Sequence, residues 1–231
     1  MKDITIAIDG FSSTGKSTLA KQLAKALGYV YVDTGAMYRA ITLFAMNNGF
    51  ITSDSEDIEG LVKELSNIKL RFVFNADLGF SEMYLNDTNV ESEIRKMEVS
   101  RNVSRIAEIE QVRIKLVSLQ QQMGTEKGIV MDGRDIGSVV FPDAELKIFM
   151  TASPEKRAYR RYKELLDRGE KVSYEEVLEN VEKRDYIDSH REFSPLVKAS
   201  DAVEFDNSDM GLKEQFERMH NHALRVIEKQ G

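Results

Sequence analysis

The chain has no cysteine and no tryptophan, and only three histidines in 231 residues. Without cysteine there is no disulfide, no thiol nucleophile and no cysteine-ligated metal. Positive charge is also in deficit. Lys and Arg number 32 against 39 Asp and Glu, a formal net charge of −7. A nucleic acid or an anionic membrane surface needs a positive field, so neither is expected as a partner. No apolar run reaches the roughly 20 residues of a membrane span, and no charged-then-apolar leader opens the chain. The Asn-x-Ser/Thr triplets at Asn86 and Asn102 are therefore read as chance. These absences point to a cytoplasmic enzyme, and a monomer is expected.

What is present begins at Gly10-Phe11-Ser12-Ser13-Thr14-Gly15-Lys16-Ser17, which fits G-x-x-x-x-G-K-[ST]. The bland alternative is a Gly/Ser-rich turn, and context decides between them. Ile4 to Ile8 read as a buried strand before it. Leu19, Ala20, Leu23, Ala24 and Leu27 recur at helical spacing after it, with Gly28 where a C-terminal cap belongs. A loop between strand and helix points its N–H groups and the helix dipole at phosphate. Lys16 can reach the β- and γ-phosphates, and the Ser17 hydroxyl can ligate Mg²⁺. Thr18 completes the stretch expected to bind ATP.

Further on, Tyr29 to Val32 read as a strand ending at Asp33-Thr34-Gly35. A helix carrying Met37, Ala40, Ile41, Phe44 and Ala45 follows. The next helix is expected from about Ser53-Asp54. From Ile68 the rhythm becomes alternating, and a further strand is read from Met83 to Val90, with turn residues Asn86-Asp87. This is a small antiparallel excursion of about 25 residues. Helical spacing resumes from Glu93 to Met123. Strands follow at Gly128–Asp132 and Glu145–Met150, then a helix from Ser153-Pro154-Glu155 to Asp167. After Gly169, Ser173 caps another helix to about Ser189. Val203–Asp206 is the last strand, and Leu212–Glu228 the closing helix. Strands separated by helices imply a parallel sheet covered on both faces.

The acceptor must be read elsewhere. No N-K-x-D is present, which weighs against a GTPase switch. Asp132 ends a short apolar strand, where an acid can hold Mg²⁺ directly or through water; the plainer reading is a surface carboxylate at a strand end. Arg157, Arg160, Arg161 and Arg168 share one helix face, as do Arg184, Asp188 and Arg191. Such faces are commonly solvated, with weak local pairs such as Arg160–Glu164. Beside a P-loop they read instead as arginines for a transferring phosphoryl group, on two helices that close as a lid. The scarcity of histidine fits this. A hydroxyl acceptor wants a base, whereas a phosphate monoester, with a second pKa of ~6, is already mostly dianionic at neutral pH. Asp33 stays open as a base for a hydroxyl.

Five stretches together make the chain resemble the bacterial-type cytidylate (CMP) kinases over nearly its whole length. They are Asp9-Gly10…Gly15-Lys16-Ser17-Thr18, Asp33-Thr34-Gly35-Ala36-Met37-Tyr38-Arg39, Asp132-Gly133-Arg134-Asp135-Ile136-Gly137, Val139 to Ala144, and Arg184-Asp185…Asp188…Arg191…Pro195-Leu196. The resemblance implies phosphoryl transfer from ATP to CMP or dCMP with Mg²⁺. It implies an α/β P-loop fold of three layers, α/β/α, around a mainly five-stranded parallel sheet. A single domain is expected, with a core of about 1–52, 93–152 and 195–231. A monophosphate-binding insert would occupy about 53–92 and a helical lid about 153–192.

By the same resemblance, Arg39 and Arg134 would clamp the acceptor phosphate, with Tyr38 and Thr34 beside it. Ser104, Arg113 and Asp135 would read the cytosine edge. Arg184 and Asp188 would hold the sugar side and the transferring group, with Arg191 nearby. Lys16, Arg157, Arg161 and Arg184 would be catalytic, and Ser17 and Asp132 would serve the metal. Phe11 stands where the family often has proline, and Thr34 where serine is common. Ser104 and Arg113 are nine residues apart, about 180° around one helix. A break between Ala107 and Gln111 is therefore expected. Two other readings stay open, a P-loop kinase acting on a hydroxyl and a nucleotide-sensing regulatory protein.

Overall fold

The computed structural model describes residues 3–52 and 54–230. Five short apolar strands form one parallel sheet. In chain order they are β1 (Thr5–Gly10), β2 (Val30–Asp33), β6 (Ile129–Asp132), β7 (Leu146–Thr151) and β8 (Val203–Asp206). Their spatial order is β2-β6-β1-β7-β8. Because alternate residues of a strand face opposite ways, Ile6 and Ile8 of β1 go to one layer and Ala7 to the other. The first layer is α1 (Lys16–Leu27) and α8 (Leu212–Gln230), packed through Leu19, Leu23, Met219, Ala223 and Ile227. The opposite face is covered by a short π-helical turn, Ile136–Val140, and by Val117 of α5 (Glu110–Met123). This is the expected three-layer α/β/α arrangement. Among the described residues no helix is long and apolar enough to cross a membrane.

The insert is a second, three-stranded antiparallel sheet of β3 (Leu70–Asn75), β4 (Phe80–Leu85) and β5 (Thr88–Asn89). Where one strand from Met83 to Val90 is expected, there are two. Asn86 and Asp87 both take positive φ, 46° and 68°, and turn β4 back onto β5. β4 also starts earlier, at Phe80, because Gly79 at φ 70° closes the preceding turn. The helix expected from Ser53-Asp54 is α3 (Ile58–Glu64). Its cap is Asp57, which accepts from the Gly60 N–H at 2.8 Å. Ser53 lies outside the described residues. The insert packs on α2 (Thr34–Asn47) through a core that includes Met37, Ile41, Leu61 and Met83.

The expected helix break is present. α4 (Met97–Ile106) stops before α5 begins at Glu110. Ala107 and Ile109 take φ/ψ of −73°/−9° and −70°/115°, which any L-residue adopts, so neither glycine nor proline is required. Beyond β7, Ser153 caps α6 (Pro154–Asp167) and Ser173 closes a capping box on α7 (Tyr174–His190). These two helices pack together with Met97 of α4.

Candidate active site

The carboxyl ends of β1, β2, β6 and β7 open on one edge, and the side chains that bear chemistry follow from them. Gly10 ends β1 at φ 142°, where a Cβ would stand 2.0 Å from the Met150 carbonyl oxygen of β7. Only hydrogen fits there. Glycine at this position lets the loop leave the sheet; it does not line the cleft, and neither does Phe11, whose ring packs edge-on against Phe149. Ser12 to Thr18 do line it. α1 begins after Gly15 with no side-chain cap, so its first N–H groups are left for a ligand. Lys16 folds back over the loop, donating to the Phe11 carbonyl at 2.5 Å and to Thr14 Oγ1 at 3.2 Å. Burial, with Arg134 close by, pushes its ammonium well below the usual lysine value.

Ser17 and Asp132 meet. The Ser17 hydroxyl donates to Asp132 Oδ2 at 2.9 Å, and Tyr31 donates to Oδ1 at 2.7 Å. Burial, and then the neighbouring Asp33, raises the Asp132 carboxyl to about 6. A buried carboxylate and a hydroxyl side by side are hard oxygen donors of the kind Mg²⁺ takes. Asp33 itself is already engaged. It caps α2 through the Ala36 N–H at 3.0 Å and pairs with Arg95 at 2.8 Å. Burial would raise its pKa, but Arg95 outweighs burial and holds it below the usual range. It is not a free base.

Between the P-loop, the insert and α6–α7 lies a cleft of about 990 Å³. A side cavity of about 50 Å³ opens from it between α2, α4 and α7. The structure brings all ten expected acceptor-site residues around this small cavity. Thr34, Tyr38 and Arg39 come from α2, Ser104 from α4, Arg113 from α5 and Arg134 and Asp135 from the turn after β6; Arg184, Asp188 and Arg191 come from α7 and its end. Arg39, Arg134 and Arg184 line both cavities and so stand at their junction.

The cavity wall is charged and closely paired. Arg113 turns back across the helix break, donating to the Ala107 carbonyl at 3.0 Å and to Asp135 at 2.5 Å. Asp188 accepts from Ser104 at 3.0 Å and from Arg134 at 2.8 Å, with Arg191 at 3.7 Å. Burial would raise the Asp188 carboxyl, but these arginines and Arg184 hold it low. Arg191 is further fixed by the Ser194 carbonyl. Thr34 donates to the Asp132 carbonyl at 2.7 Å. Arg39 has no acid partner among the described residues and donates only to the Ile94 carbonyl. Burial and the neighbouring Arg184 push its pKa well down, while burial and Arg134 bring Arg184 down to about 10. Positive charge is thus crowded at the junction.

The arginines of α6, where a lid is expected, divide. Arg161 lines the large cleft, donating to the Arg95 carbonyl at 2.7 Å and pairing with Glu164. Arg157 does not line it. Its donors go to the Ala152 and Ser12 carbonyls and to Asp185, and its guanidinium lies over the Phe11 ring. It is a clamp on the back of the P-loop in this structure, because three acceptors surround it there. Arg160 likewise holds Asn207 and the Thr14 carbonyl and does not pair with Glu164, whose partners are Arg161 and Arg168.

Sequence reasoning missed Asp185, Arg95 and Asn207. Asp185 accepts from the Ser12 N–H at 3.2 Å as well as from Arg157. Asn207 is fully buried and donates to the Thr14 carbonyl. Only Asp185 carried a signal, its place beside Arg184.

Residues 6–225 match the family model described as cytidylate kinase. A cytidylate kinase of Flavobacterium psychrophilum is 67% identical over 216 residues, covering 94% of this chain and 96% of that protein. One of Bacteroides thetaiotaomicron is 54% identical over 229 residues, covering 99% of this chain and all of that protein. A gluconokinase from Sinorhizobium meliloti shares the fold, with a TM-score of 0.53 at 12% identity, over 100% of this chain and 97% of that one. Relatives this similar along almost the whole length leave one assignment: the chain belongs to the cytidylate kinase family.

Proposed function

We propose that this protein transfers the γ-phosphoryl group of ATP to CMP or dCMP, giving ADP and CDP or dCDP, in the presence of Mg²⁺. The observation that carries the reading is the junction of the two cavities. Arg39, Arg134 and Arg184 line both, so a monophosphate held from one side meets a triphosphate held from the other. Unpartnered polar atoms support it. Among the described residues, three of the five buried side-chain atoms lacking a partner belong to the small cavity: Tyr38 OH, Arg113 Nε and Arg184 Nε. Buried polar groups are rarely left unpaired unless a ligand completes them.

Roles follow from chemistry. The P-loop N–H groups and Lys16 hold the triphosphate, with Ser17 and Asp132 as the metal's oxygen donors. Mg²⁺ there supplies charge neutralisation on the phosphate oxygens. Asp135 accepts from the exocyclic amino group of cytosine, which uracil lacks, while Arg113 and Ser104 complete the base edge. Arg39 and Arg134 bind the acceptor phosphate. An oxygen of that phosphate attacks the γ-phosphorus in line, and the bond to the ADP oxygen breaks. Arg184 and Arg161 stabilise the charge on the transferring group. No general base is needed, in keeping with the ion-paired state of Asp33. The chain works as one domain, in which the insert and the α6–α7 lid close over the P-loop core.

Initial rates with Mg-ATP across CMP, dCMP, UMP, AMP and GMP test the reading. CMP or dCMP is expected to lead; equal rates for all five sink the cytosine assignment.

A further inference from the structure

Arg184 sits at the junction, yet among the described residues its guanidinium makes one hydrogen bond. Its Nη1 donates to Ser100 Oγ at 3.4 Å, and its Nε is buried without a partner. Its neighbours Arg134 and Arg191 both pair with Asp188; among the described residues Arg184 pairs with no carboxylate. Ser100 lies on α4, is 1% exposed, and lines neither cavity. A hydroxyl has one hydrogen to give, and Asn180 Oδ1 takes it at 3.0 Å. The oxygen is thereby left as an acceptor facing the guanidinium.

Spacing makes this a two-rung seam. Ser100 and Ser104 are one turn apart on α4, and Asn180, Arg184 and Asp188 are one turn apart on α7. The Ser104–Asp188 rung faces the small cavity. The Ser100–Asn180 rung stands behind it, in contact with Arg184.

We propose that Ser100, with its proton fixed by Asn180, is the positioning residue for Arg184 in phosphoryl transfer. A neutral acceptor aims the guanidinium without neutralising it, so the full charge is available to the transferring group. A carboxylate in that place would hold the arginine more tightly and cancel what it delivers. The inference rests on reading the site as a phosphotransferase.

The test uses Ser100→Ala, Ser100→Asp, Arg184→Ala and Ser100→Ala combined with Arg184→Ala, assayed at saturating Mg-ATP. The acceptor is whichever monophosphate the wild-type enzyme turns over fastest. A wrong cytosine assignment then appears as a different best acceptor and leaves this test intact. Ser100→Ala is expected to lower kcat about 10- to 100-fold, the scale of a small misplacement of a catalytic group. KM for the acceptor stays within about 3-fold, since ground-state binding does not use this contact. In the Arg184→Ala background the same change adds almost nothing, because both act through one group. Ser100→Asp lowers kcat at least as far while thermal stability is kept. An unchanged kcat in Ser100→Ala, an equal loss with Arg184 already removed, or full activity in Ser100→Asp would each overturn the inference.

Discussion

Arg113 donates to Asp135 at 2.5 Å, and both side chains are only 4% exposed. The pair spans α5 and the turn after β6, and both residues line the small cavity. Breaking it from either side has different consequences. Asp135→Asn keeps the shape but loses the charge. The ratio of kcat/KM for CMP over UMP is expected to fall about 10- to 100-fold, roughly the 1–3 kcal/mol that one polar pair discriminates. Unchanged discrimination would remove Asp135 from base reading. Arg113→Met leaves a buried carboxylate uncompensated and is expected to cost about 3–5 kcal/mol in urea unfolding.

The arginines separate by what holds them. Arg184, with one neutral hydrogen-bond partner among the described residues, is expected to show a kcat loss of about 10²–10⁵-fold on replacement by alanine. A change confined to KM would assign it to ground-state binding. Arg157 is fixed by Ser12, Ala152 and Asp185. Arg157→Ala should therefore lower the melting temperature and raise KM for ATP, with a smaller effect on kcat than Arg161→Ala. The opposite order would place Arg157 on the transferring group.

Asp9 ties the P-loop strand to the turn that presents Asp135, accepting from the Ile136 and Gly137 N–H groups at 2.8 and 2.7 Å. Burial raises it from 3.8 to about 6. Between those values the native protein keeps a proton that the unfolded chain has released. This group's contribution to stability therefore falls as pH rises from about 4 to about 6. Asp9→Asn has no such proton to lose. The variant-minus-wild-type difference in urea midpoint should rise in the variant's favour over that window. Asp33 and Asp188 pull the other way but are common to both proteins. A flat difference contradicts the raised value.

Gly10 offers a purely steric test. A Cβ at φ 142° would meet the Met150 carbonyl oxygen at 2.0 Å. Gly10→Ala is expected to destabilise by at least about 2 kcal/mol, through strain and overpacking together. A melting temperature equal to wild type would mean that the strand end yields more easily than its geometry implies.

Local chemistry made most of the fold legible. Caps at Gly28, Ser153 and Ser173 and the apolar runs of the strands follow from near neighbours in sequence, whereas the break after Ala107 follows only from requiring Ser104 and Arg113 to face one base. Eight of the ten acceptor-site residues stand in the quoted motifs, Ser104 and Arg113 come from the resemblance alone, and the cavity gathers all ten. Two kinds of feature were hidden. Strand limits set by a single turn residue, such as Gly79 before β4, shift the pattern by a few positions without changing its period. Partner choice was the other. Arg157, Arg160 and Arg161 share a helix face, but which one meets a loop carbonyl and which faces the cleft depends on α6 lying against the P-loop. Ser100 and Asn207 gave no sign, because a buried serine or asparagine is defined by contacts 80 or more residues away.

The measurement that bears most directly on the whole account is kcat/KM for each nucleoside monophosphate with Mg-ATP, on the wild-type chain and on Asp135→Asn. The account predicts CMP or dCMP well ahead of UMP in the first protein and a much smaller gap in the second. A wild-type enzyme that takes UMP or AMP as readily as CMP, or that phosphorylates only an alcohol, would contradict it.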